Sequence, residues 1–213
     1  MKNSDSKGSL LIATTNPGKL REFRDFLRDI PVRIYSLTDV GITDKPEENG
    51  KTYEENALIK ARFYMEKTGC ATIADDGGFE IDALGGEPGV KSHRWLNQGR
   101  EDEDEEIIEY TIKRMENVPP EKRTARLCVA VVFLVSGGDM HFGHGTVEGI
   151  VAQQPAPFRH PGFPFRSLLY LPEHRVFYID NELPEDLNVK LNHRKKAVDE
   201  LVPLIRTYFS EKS

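Results

Sequence analysis

Short apolar runs alternate with segments of helical periodicity in the first part of the chain. Residues 10–13 are apolar and predict a buried strand. A polar turn follows at 14–19, and apolar side chains then recur at helical spacing over 20–27. Asn16 can cap this helix and Pro17 suits its first turn. The pattern predicts a strand, a tight turn and a helix whose N-terminus points back over the end of the strand.

The same order of elements is predicted again further along the chain. Thr52 and Glu55 have the spacing of a capping box, and the residues after them place apolar side chains on one side of a helix. Residues 71–74 predict a second buried strand, which we expect to end at the acidic and glycine-rich sequence of 75–78. Residues 102–117 are acidic at first and then amphipathic, which predicts a surface helix.

The second half of the chain contains a hairpin signal. Residues 127–135 are almost wholly apolar and β-branched, which predicts a central strand. The glycine-containing turn at 136–139 leads to a partner strand over 140–150. A last helix is predicted over 194–209. Because helices alternate with strands and one hairpin is present, we expect an α/β fold with a mixed sheet.

Length and charge limit the kind of protein this can be. The 213 residues suffice for one domain or for two lobes around a shared core, and we expect a flexible tail at 1–8 before a single domain over 9–213. The net charge is −6 and the basic residues are scattered, which argues against a nucleic-acid partner because such a surface needs concentrated positive charge. A small anionic ligand still fits, since a local basic pocket can exist on an acidic protein.

The cysteines and the apolar runs indicate where the protein works. Cys70 and Cys128 lie in apolar surroundings without metal-ligand spacing, so we interpret them as buried thiols of a reducing compartment. No apolar run has the length of a membrane span, and residues 1–9 lack the core of a signal peptide. We expect a cytoplasmic protein without a membrane partner.

The turn after the first strand has the construction of a phosphate site. Free backbone N–H groups at a helix N-terminus attract anions, and Lys19 adds a positive charge one turn into the helix. The spacing of a Walker loop is absent. A capped helix with a surface lysine explains the same residues. The candidate segment is Thr14-Thr15-Asn16-Pro17-Gly18-Lys19.

The run Asp75-Asp76-Gly77-Gly78 carries a second candidate site. Two adjacent carboxylates at the end of a buried strand are costly unless a cation neutralises them. Oxygen ligands favour Mg²⁺, which takes only one or two carboxylates and keeps several waters. Glycines let a phosphate or the metal's water shell approach the backbone. Glu47 and Glu48, just before the second helix, could supply a further carboxylate, and a solvent-exposed acidic turn remains the alternative.

Two weaker signals come from the second half of the chain. The sequence Pro161-Gly162-Phe163-Pro164-Phe165-Arg166 offers two aromatic faces in a rigid loop, which suits stacking on a base or simple packing. Asn192-His193-Arg194 opens the last helix, where its donors could bind a purine carbonyl or cap the helix.

Together these motifs resemble, in order and over nearly the whole chain, the inosine triphosphate pyrophosphatase family. These enzymes hydrolyse ITP, dITP and XTP to the monophosphate and pyrophosphate. Residues 13–19 are similar to the family's [ST]xNxxK loop and 55–61 to its ENAxxKA helix. The other matching segments are 74–84 against ADDSGLxVDAL, 88–94 against PGVxSAR, Glu48, and His193-Arg194 against the closing SHR.

The resemblance implies a role for each matched residue. Asp76 would hold Mg²⁺ and act as the general base for the attacking water, while Glu48 and Asp75 complete the acidic site. Lys19 would assist catalysis by gripping the triphosphate. Phe163 would stack on the base and His193 with Arg194 would bind its carbonyl edge. The implied substrate-binding set is Thr14, Thr15, Asn16, Pro17, Gly18, Lys19, Lys60, Gly77, Phe163, Pro164, Phe165, Arg166, Lys190, His193 and Arg194.

Three positions depart from the family pattern. Gly77 replaces a Ser or Thr, so one side-chain contact is lost. The base-pocket motif GFGYDP reads here with Pro164 and, in place of its aspartate, Arg166. Ionised aspartate only accepts hydrogen bonds whereas arginine only donates them, so we expect an altered base preference unless Arg166 points to solvent or pairs with a carboxylate. Lys190 could replace the family lysine expected at Asn188.

We therefore expect a Mg²⁺-dependent enzyme that removes non-standard purine nucleoside triphosphates from the nucleotide pool. The implied architecture is a long twisted mixed sheet flanked by helices, with two lobes and a central nucleotide cleft, and family members are typically homodimers. One alternative is the same fold acting on a modified pyrimidine or a standard purine nucleotide. Another is a catalytically weak protein that senses nucleotides without hydrolysing them.

Overall fold

Helices and strands alternate along the chain in a computed structural model that describes residues 8–97, 100–179 and 182–211. The predicted tail at 1–8 falls outside these residues except for Gly8. The strands are β1 (Ser9–Ile12), β2 (Arg33–Ser36), β3 (Ala71–Ile81), β4 (Pro88–Gly89), β5 (Thr124–Leu134), β6 (Met140–Val151), β7 (Leu169–Leu171) and β8 (Val176–Phe177). The α-helices are α1 (Pro17–Phe26), α2 (Tyr53–Thr68), α3 (Asp104–Arg114), α4 (Glu185–Leu191) and α5 (His193–Ser210).

The strands form one mixed sheet in the order β2-β1-β3-β5-β6-β7-β8, and β4 pairs with β3. β1 runs parallel to both β2 and β3, whereas β4 is antiparallel to β3, and β7 is antiparallel to β6 and β8. Parallel neighbours joined by helices are the product of the strand-turn-helix order predicted from the sequence. The predicted mixed α/β fold is thus confirmed. None of the described helices has both the length and the apolar character needed to cross a membrane.

The chain divides into two compact units. The first comprises Met1–Asp76, Val129–Gly145 and Arg194–Ser213. Its core lies on two faces of the sheet. On one face Leu10, Ile12, Ala71 and Ile73 pack against apolar side chains of α1 and α5. On the other face Leu11, Ala13 and Ala74 pack against α2 through residues that include Ala57 and Ala61.

The second unit comprises Gly77–Cys128 and Thr146–His193. Its core joins Phe79 and Ile81 of β3 to apolar residues of α3 and of the segment around β7. Phe165 stacks on Phe79 with ring centroids 4.8 Å apart. Two units agree with the two lobes that the resemblance implies. The nucleotide cleft between the lobes stays a prediction, as does the single domain over 9–213.

Local chemistry explains most of the predicted boundaries. Asn16 caps α1 by accepting hydrogen bonds from the backbone N–H groups of Gly18 and Lys19, and Thr52 caps α2 by accepting one from Glu55. The hairpin turn closes where the Val135 N–H donates to the Asp139 carbonyl. The predicted helix at 102–117 is shorter, at Asp104–Arg114, and the last helix begins one residue earlier than predicted.

One prediction about the fold was wrong. The strand expected at 71–74 does not end before the acidic run but continues as β3 through Ile81. Pairing with β4 extends it, because Phe79 and Glu80 lie opposite Gly89 and Pro88. The two aspartates therefore lie inside a continuous strand. The short strands β2, β4, β7 and β8 and the helix α4 were not predicted, because each is too short to show a clear period.

Candidate active site

Asp75 and Asp76 point to opposite faces of the sheet because successive side chains of a strand alternate. Asp75 lies on the same face of β3 as Ala71 and Ile73, which pack towards α1 and α5. Asp76 lies on the same face as Ala74, which packs towards α2. The two neighbouring carboxylates consequently belong to different clusters of charged side chains.

Asp75 is held by two cations. Its Oδ2 lies 2.9 Å from Nζ of Lys19 on α1 and 3.1 Å from Nε of Arg194 on α5. Arg194 also pairs with Glu22. The side chains of Asp75 and Arg194 are 1% and 4% exposed, so these charges interact with little screening by water. We call Lys19, Glu22, Asp75 and Arg194 the Asp75 network.

The charges of the Asp75 network shift the pKa values of its members. Burial alone would raise the pKa of Asp75, but the positive charges of Lys19 and Arg194 hold it well below its usual range. Burial alone would likewise lower the pKa of Arg194, and the carboxylates of Glu22 and Asp75 instead raise it. Both groups therefore stay charged throughout the physiological range.

Asp76 lies in a second cluster, which we call the Lys60 cluster. Nζ of Lys60 is 2.9 Å from Oε2 of Glu48 and 3.3 Å from Oδ1 of Asp76. The other oxygen of Asp76 accepts a hydrogen bond of 3.0 Å from Nδ2 of Asn56. Burial opposes the charge on Lys60, yet Asp76, Glu48 and Asp75 raise its pKa above the usual value. A half-buried lysine thus stays protonated between two carboxylates.

Asn56 connects this cluster to the segment that carries Glu48. Its Oδ1 accepts a hydrogen bond of 2.8 Å from the N–H of Gly50, while its Nδ2 donates to Asp76. A Cβ at Gly50 would lie 2.6 Å from that same oxygen, so only glycine lets the segment approach α2 this closely. The asparagine therefore orients Asp76 and fixes the backbone two residues after Glu48.

The backbone N–H donors at the start of α1 are taken up within the candidate phosphate turn itself. Oδ1 of Asn16 accepts from Gly18 and Lys19 at 2.8 and 3.2 Å, and the N–H of Asn16 donates to Oγ1 of Thr14 at 3.2 Å. Thr15 and Pro17 are exposed. The capped turn predicted from the sequence is confirmed, and Lys19 is anchored to Asp75 instead of lying free on the surface.

The second unit contains an aromatic cluster around Arg166. The guanidinium of Arg166 lies 4.2 Å from the ring centre of Phe163 and 5.4 Å from that of Tyr178. The hydroxyl of Tyr178 is 3.0 Å from Nδ1 of His193. Arg166 is only 2% exposed, so it does not point to solvent. Phe163 is half-buried.

Several predicted site residues have a structural explanation instead. Pro164 and Phe165 are buried in a short 3₁₀ helix, and Phe165 contacts the core through Phe79, so packing accounts for it. Gly78 is required because a Cβ there would lie 2.2 Å from the Gly89 carbonyl oxygen. This close approach of the backbone explains that glycine without a phosphate.

Other predicted residues contribute less to these clusters. Gly77 is half-buried in β3 next to Asp76. Lys190 lies exposed in the last turn of α4, so nothing indicates that it replaces a lysine at Asn188. Within residues 8–97, 100–179 and 182–211, no three His, Cys, Asp or Glu side chains are grouped closely enough to hold a metal ion. Cys70 and Cys128 are free, and only Cys70 is fully buried.

The residues that form these clusters fall within a segment shared with known proteins. The model of the Ham1 family matches residues 10–204. This chain belongs to the Ham1 family. The match confirms the resemblance inferred from the sequence motifs, since it covers all of them.

Curated relatives and solved structures agree with this membership of the Ham1 family. The chain is 34% identical over 195 residues to the dITP/XTP pyrophosphatase of Bacillus subtilis, covering 92% of this chain and 96% of that protein. It is 37% identical over 209 residues to the dITP/XTP pyrophosphatase of Thermoanaerobacter pseudethanolicus, covering 95% and 99%. The fold matches a Ham1 protein from Coxiella burnetii with a TM-score of 0.79 and 28% identity, covering 92% of this chain and 98% of that one.

Three residues that contact predicted site residues were not singled out from the sequence. Asn56 carried a signal, because a polar residue in the buried stripe of an amphipathic helix needs a partner. Glu22 looked like any exposed helix charge until Arg194 was placed beside it. Tyr178 gave no signal, since its partner His193 is brought to it by the tertiary fold.

Proposed function

We propose that this Ham1 protein hydrolyses non-standard purine nucleoside triphosphates, such as ITP, dITP and XTP, to the monophosphate and pyrophosphate. Relatives named dITP/XTP pyrophosphatase over almost their full length support this activity. The observation that carries the proposal is the Lys60 cluster, where two carboxylates converge on one half-buried cation. Such a cluster suits a reaction that handles both a metal ion and a polyanion.

Glu48 and Asp76 are the residues that would hold Mg²⁺. Their oxygens already meet at one position that carries positive charge, the ammonium of Lys60. Mg²⁺ prefers oxygen ligands and commonly takes one or two carboxylates together with substrate phosphates, which fits this pair. When bound, the ion neutralises phosphate charge and polarises the phosphoryl group for attack.

The chain's own residues supply proton transfer and charge stabilisation. Asp76 accepts the proton of the attacking water, and the hydrogen bond from Asn56 holds its carboxylate in one orientation. Lys60 and Lys19 offset the negative charge that develops on the phosphates. Water attacks directly, so no covalent intermediate is needed.

We assign binding of the purine base to Phe163, His193 and Arg166. Phe163 is half-buried and carries an aromatic ring suited to stacking, and His193 is fixed by Tyr178. Arg166 brings hydrogen-bond donors to a position where the family has an acceptor. Because O6 and N7 of a 6-oxopurine are both acceptors, Arg166 favours such bases and weakens the exclusion of GTP.

We also propose that the protein acts as a homodimer in the cytoplasm. Family members are typically dimers, and the free thiols of Cys70 and Cys128 fit a reducing compartment. Light scattering on the purified protein measures the oligomeric state directly. A monomer at micromolar concentration would refute the dimer without affecting the proposed reaction.

A substrate panel with pyrophosphate detection tests the proposed activity. ITP, XTP, dITP, GTP, ATP and a modified pyrimidine triphosphate are compared with Mg²⁺ present. We expect pyrophosphate from ITP, XTP and dITP ahead of GTP and ATP, and none from Asp76→Asn. Asp139→Asn, at an exposed turn, is the matched control and should behave like wild type. Binding of nucleotide without any turnover would instead support the sensor alternative.

A further inference from the structure

The two adjacent aspartates of β3 have different surroundings, and this difference separates their roles. Asp75 and Asp76 face opposite sides of the sheet, so a single ion on one side reaches only one of them without distorting the strand. The motif alone suggests that both carboxylates share a metal. The alternation of side chains along a continuous strand argues against that arrangement.

The surroundings of Asp75 disfavour a further cation. Its Oδ2 is already within 3.1 Å of the charged groups of both Lys19 and Arg194, and its side chain is 1% exposed. A divalent ion bound to this carboxylate would be repelled by two positive charges in a region of low dielectric constant. Asp76 is more accessible, at 13%, and its ammonium partner is shared with Glu48.

Resting on the proposed function, we infer that Asp75 is a positioning residue and not a metal ligand. It fixes Lys19 of α1 against Arg194 of α5, so that the ammonium group of Lys19 is held in place before the triphosphate arrives. A long lysine side chain loses rotamer freedom when it is ordered. Because the contact with Asp75 already orders Lys19 in the free protein, less side-chain entropy is lost when substrate binds. Glu48 and Asp76 alone hold the metal.

Metal binding distinguishes the two roles without requiring turnover. The probe is Mn²⁺, measured by the EPR signal of the free ion, with an ITP analogue in which a methylene group replaces the α–β bridging oxygen. We expect Mn²⁺ affinity in Asp75→Asn to stay within about twofold of wild type, and to fall about tenfold or more in Asp76→Asn. Equal losses in both variants would overturn the inference, and so would a wild-type protein that binds no Mn²⁺.

A second variant covers the case in which Asp75→Asn does not fold. If Asp75 ligated the metal, replacing the competing cation in Lys19→Met would strengthen Mn²⁺ binding. Measured with Mn²⁺ alone, without the nucleotide analogue that Lys19 would grip, the inference predicts unchanged Mn²⁺ affinity in Lys19→Met, and a clear increase would overturn it. Circular dichroism confirms that each variant is folded. If the wild-type protein released no pyrophosphate, the proposed function would be refuted. The Mn²⁺ affinities could still be interpreted, because they do not depend on turnover.

A double-mutant cycle tests whether Asp75 acts through Lys19. We expect Asp75→Asn to lower kcat about tenfold in the wild-type background and by less than about twofold in the Lys19→Met background. A positioning residue has no remaining effect once the group that it positions is removed. Equal losses in both backgrounds would overturn the inference, because an independent metal ligand or a purely structural residue would act without Lys19.

Discussion

Asp75 and Asp76 are adjacent in sequence, yet their carboxylates bind different lysines on opposite faces of β3. Asp75 pairs with Lys19 of α1, and Asp76 pairs with Lys60 of α2. The acidic motif therefore consists of two half-sites, each neutralised by its own basic side chains. Placing both carboxylates inside one strand is what allows two helices on opposite faces to converge on a single short motif.

The stability of the fold should depend on pH through Asp75. Its pKa is lowered in the folded protein, so its contribution is complete above the unfolded pKa of about 3.9 and declines as the pH falls below it. Asp75→Asn leaves Lys19 and Arg194 with less compensation, and we expect it to cost about 3 kcal/mol at pH 7. Urea unfolding at several pH values measures the difference. It should be constant between pH 5 and pH 8 and shrink below about pH 4; a difference that grows in acid would contradict the role of Asp75.

Asn56 should affect catalysis without contacting substrate. Asn56→Ala removes the hydrogen bond that orients Asp76 and the one that holds Gly50. We expect kcat to fall by about 10- to 100-fold, as is common when the partner of a ligand or catalytic group is lost. Steady-state pyrophosphate release measures this. Asn117→Ala, at a surface position after α3, is the control and should match wild type.

Arg166 should influence the choice of base. Arg166→Asp restores the acidic residue of the family motif and removes the guanidinium that lies over Phe163. We expect the ratio of kcat/KM for ITP to that for ATP to fall by about tenfold, because adenine lacks the O6 acceptor and one discriminating contact is worth about 1–3 kcal/mol. The control is Arg206→Asp on the exposed side of α5. An unchanged substrate profile in Arg166→Asp would refute the assignment.

Gly78 should tolerate no side chain. In Gly78→Ala the new Cβ would meet the Gly89 carbonyl oxygen at 2.2 Å and Oγ of Ser92 at 2.5 Å. We expect the free energy of unfolding to fall by at least about 1–3 kcal/mol, as in other overpacked positions. Gly8→Ala, where a new Cβ would meet no atom within 4 Å, should be neutral. Thermal denaturation compares the two variants, and equal melting temperatures would contradict the proposed backbone contact.

The hydrophobic periodicity and the helix-capping residues predicted the long helices and strands. Asn16, Thr52 and the hairpin turn act locally, so the sequence contains the information that forms them. The extent of β3 was missed because its second half is stabilised by pairing with β4, a contact between segments that no local pattern reveals.

For the clusters of charged residues, too, the local sequence identified the residues but not the contacts between distant segments. The motifs identified Lys19, Lys60, Asp75 and Asp76 as candidates, but only the tertiary structure shows which cation meets which carboxylate. The alternation of side chains in β3 could have separated the two aspartates, had the strand been predicted to continue through them. Arg166 could be recognised as unusual from the motif, whereas its position over Phe163 depends on the fold.

Analysis of the products of ITP hydrolysis tests the central claim most directly. Purified protein is incubated with ITP and Mg²⁺, and the products are separated by anion exchange, with Asp76→Asn as the inactive reference. We predict IMP and pyrophosphate in equal amounts from wild type and neither from the variant. Formation of IDP and inorganic phosphate, or equal turnover by Asp76→Asn, would contradict the account.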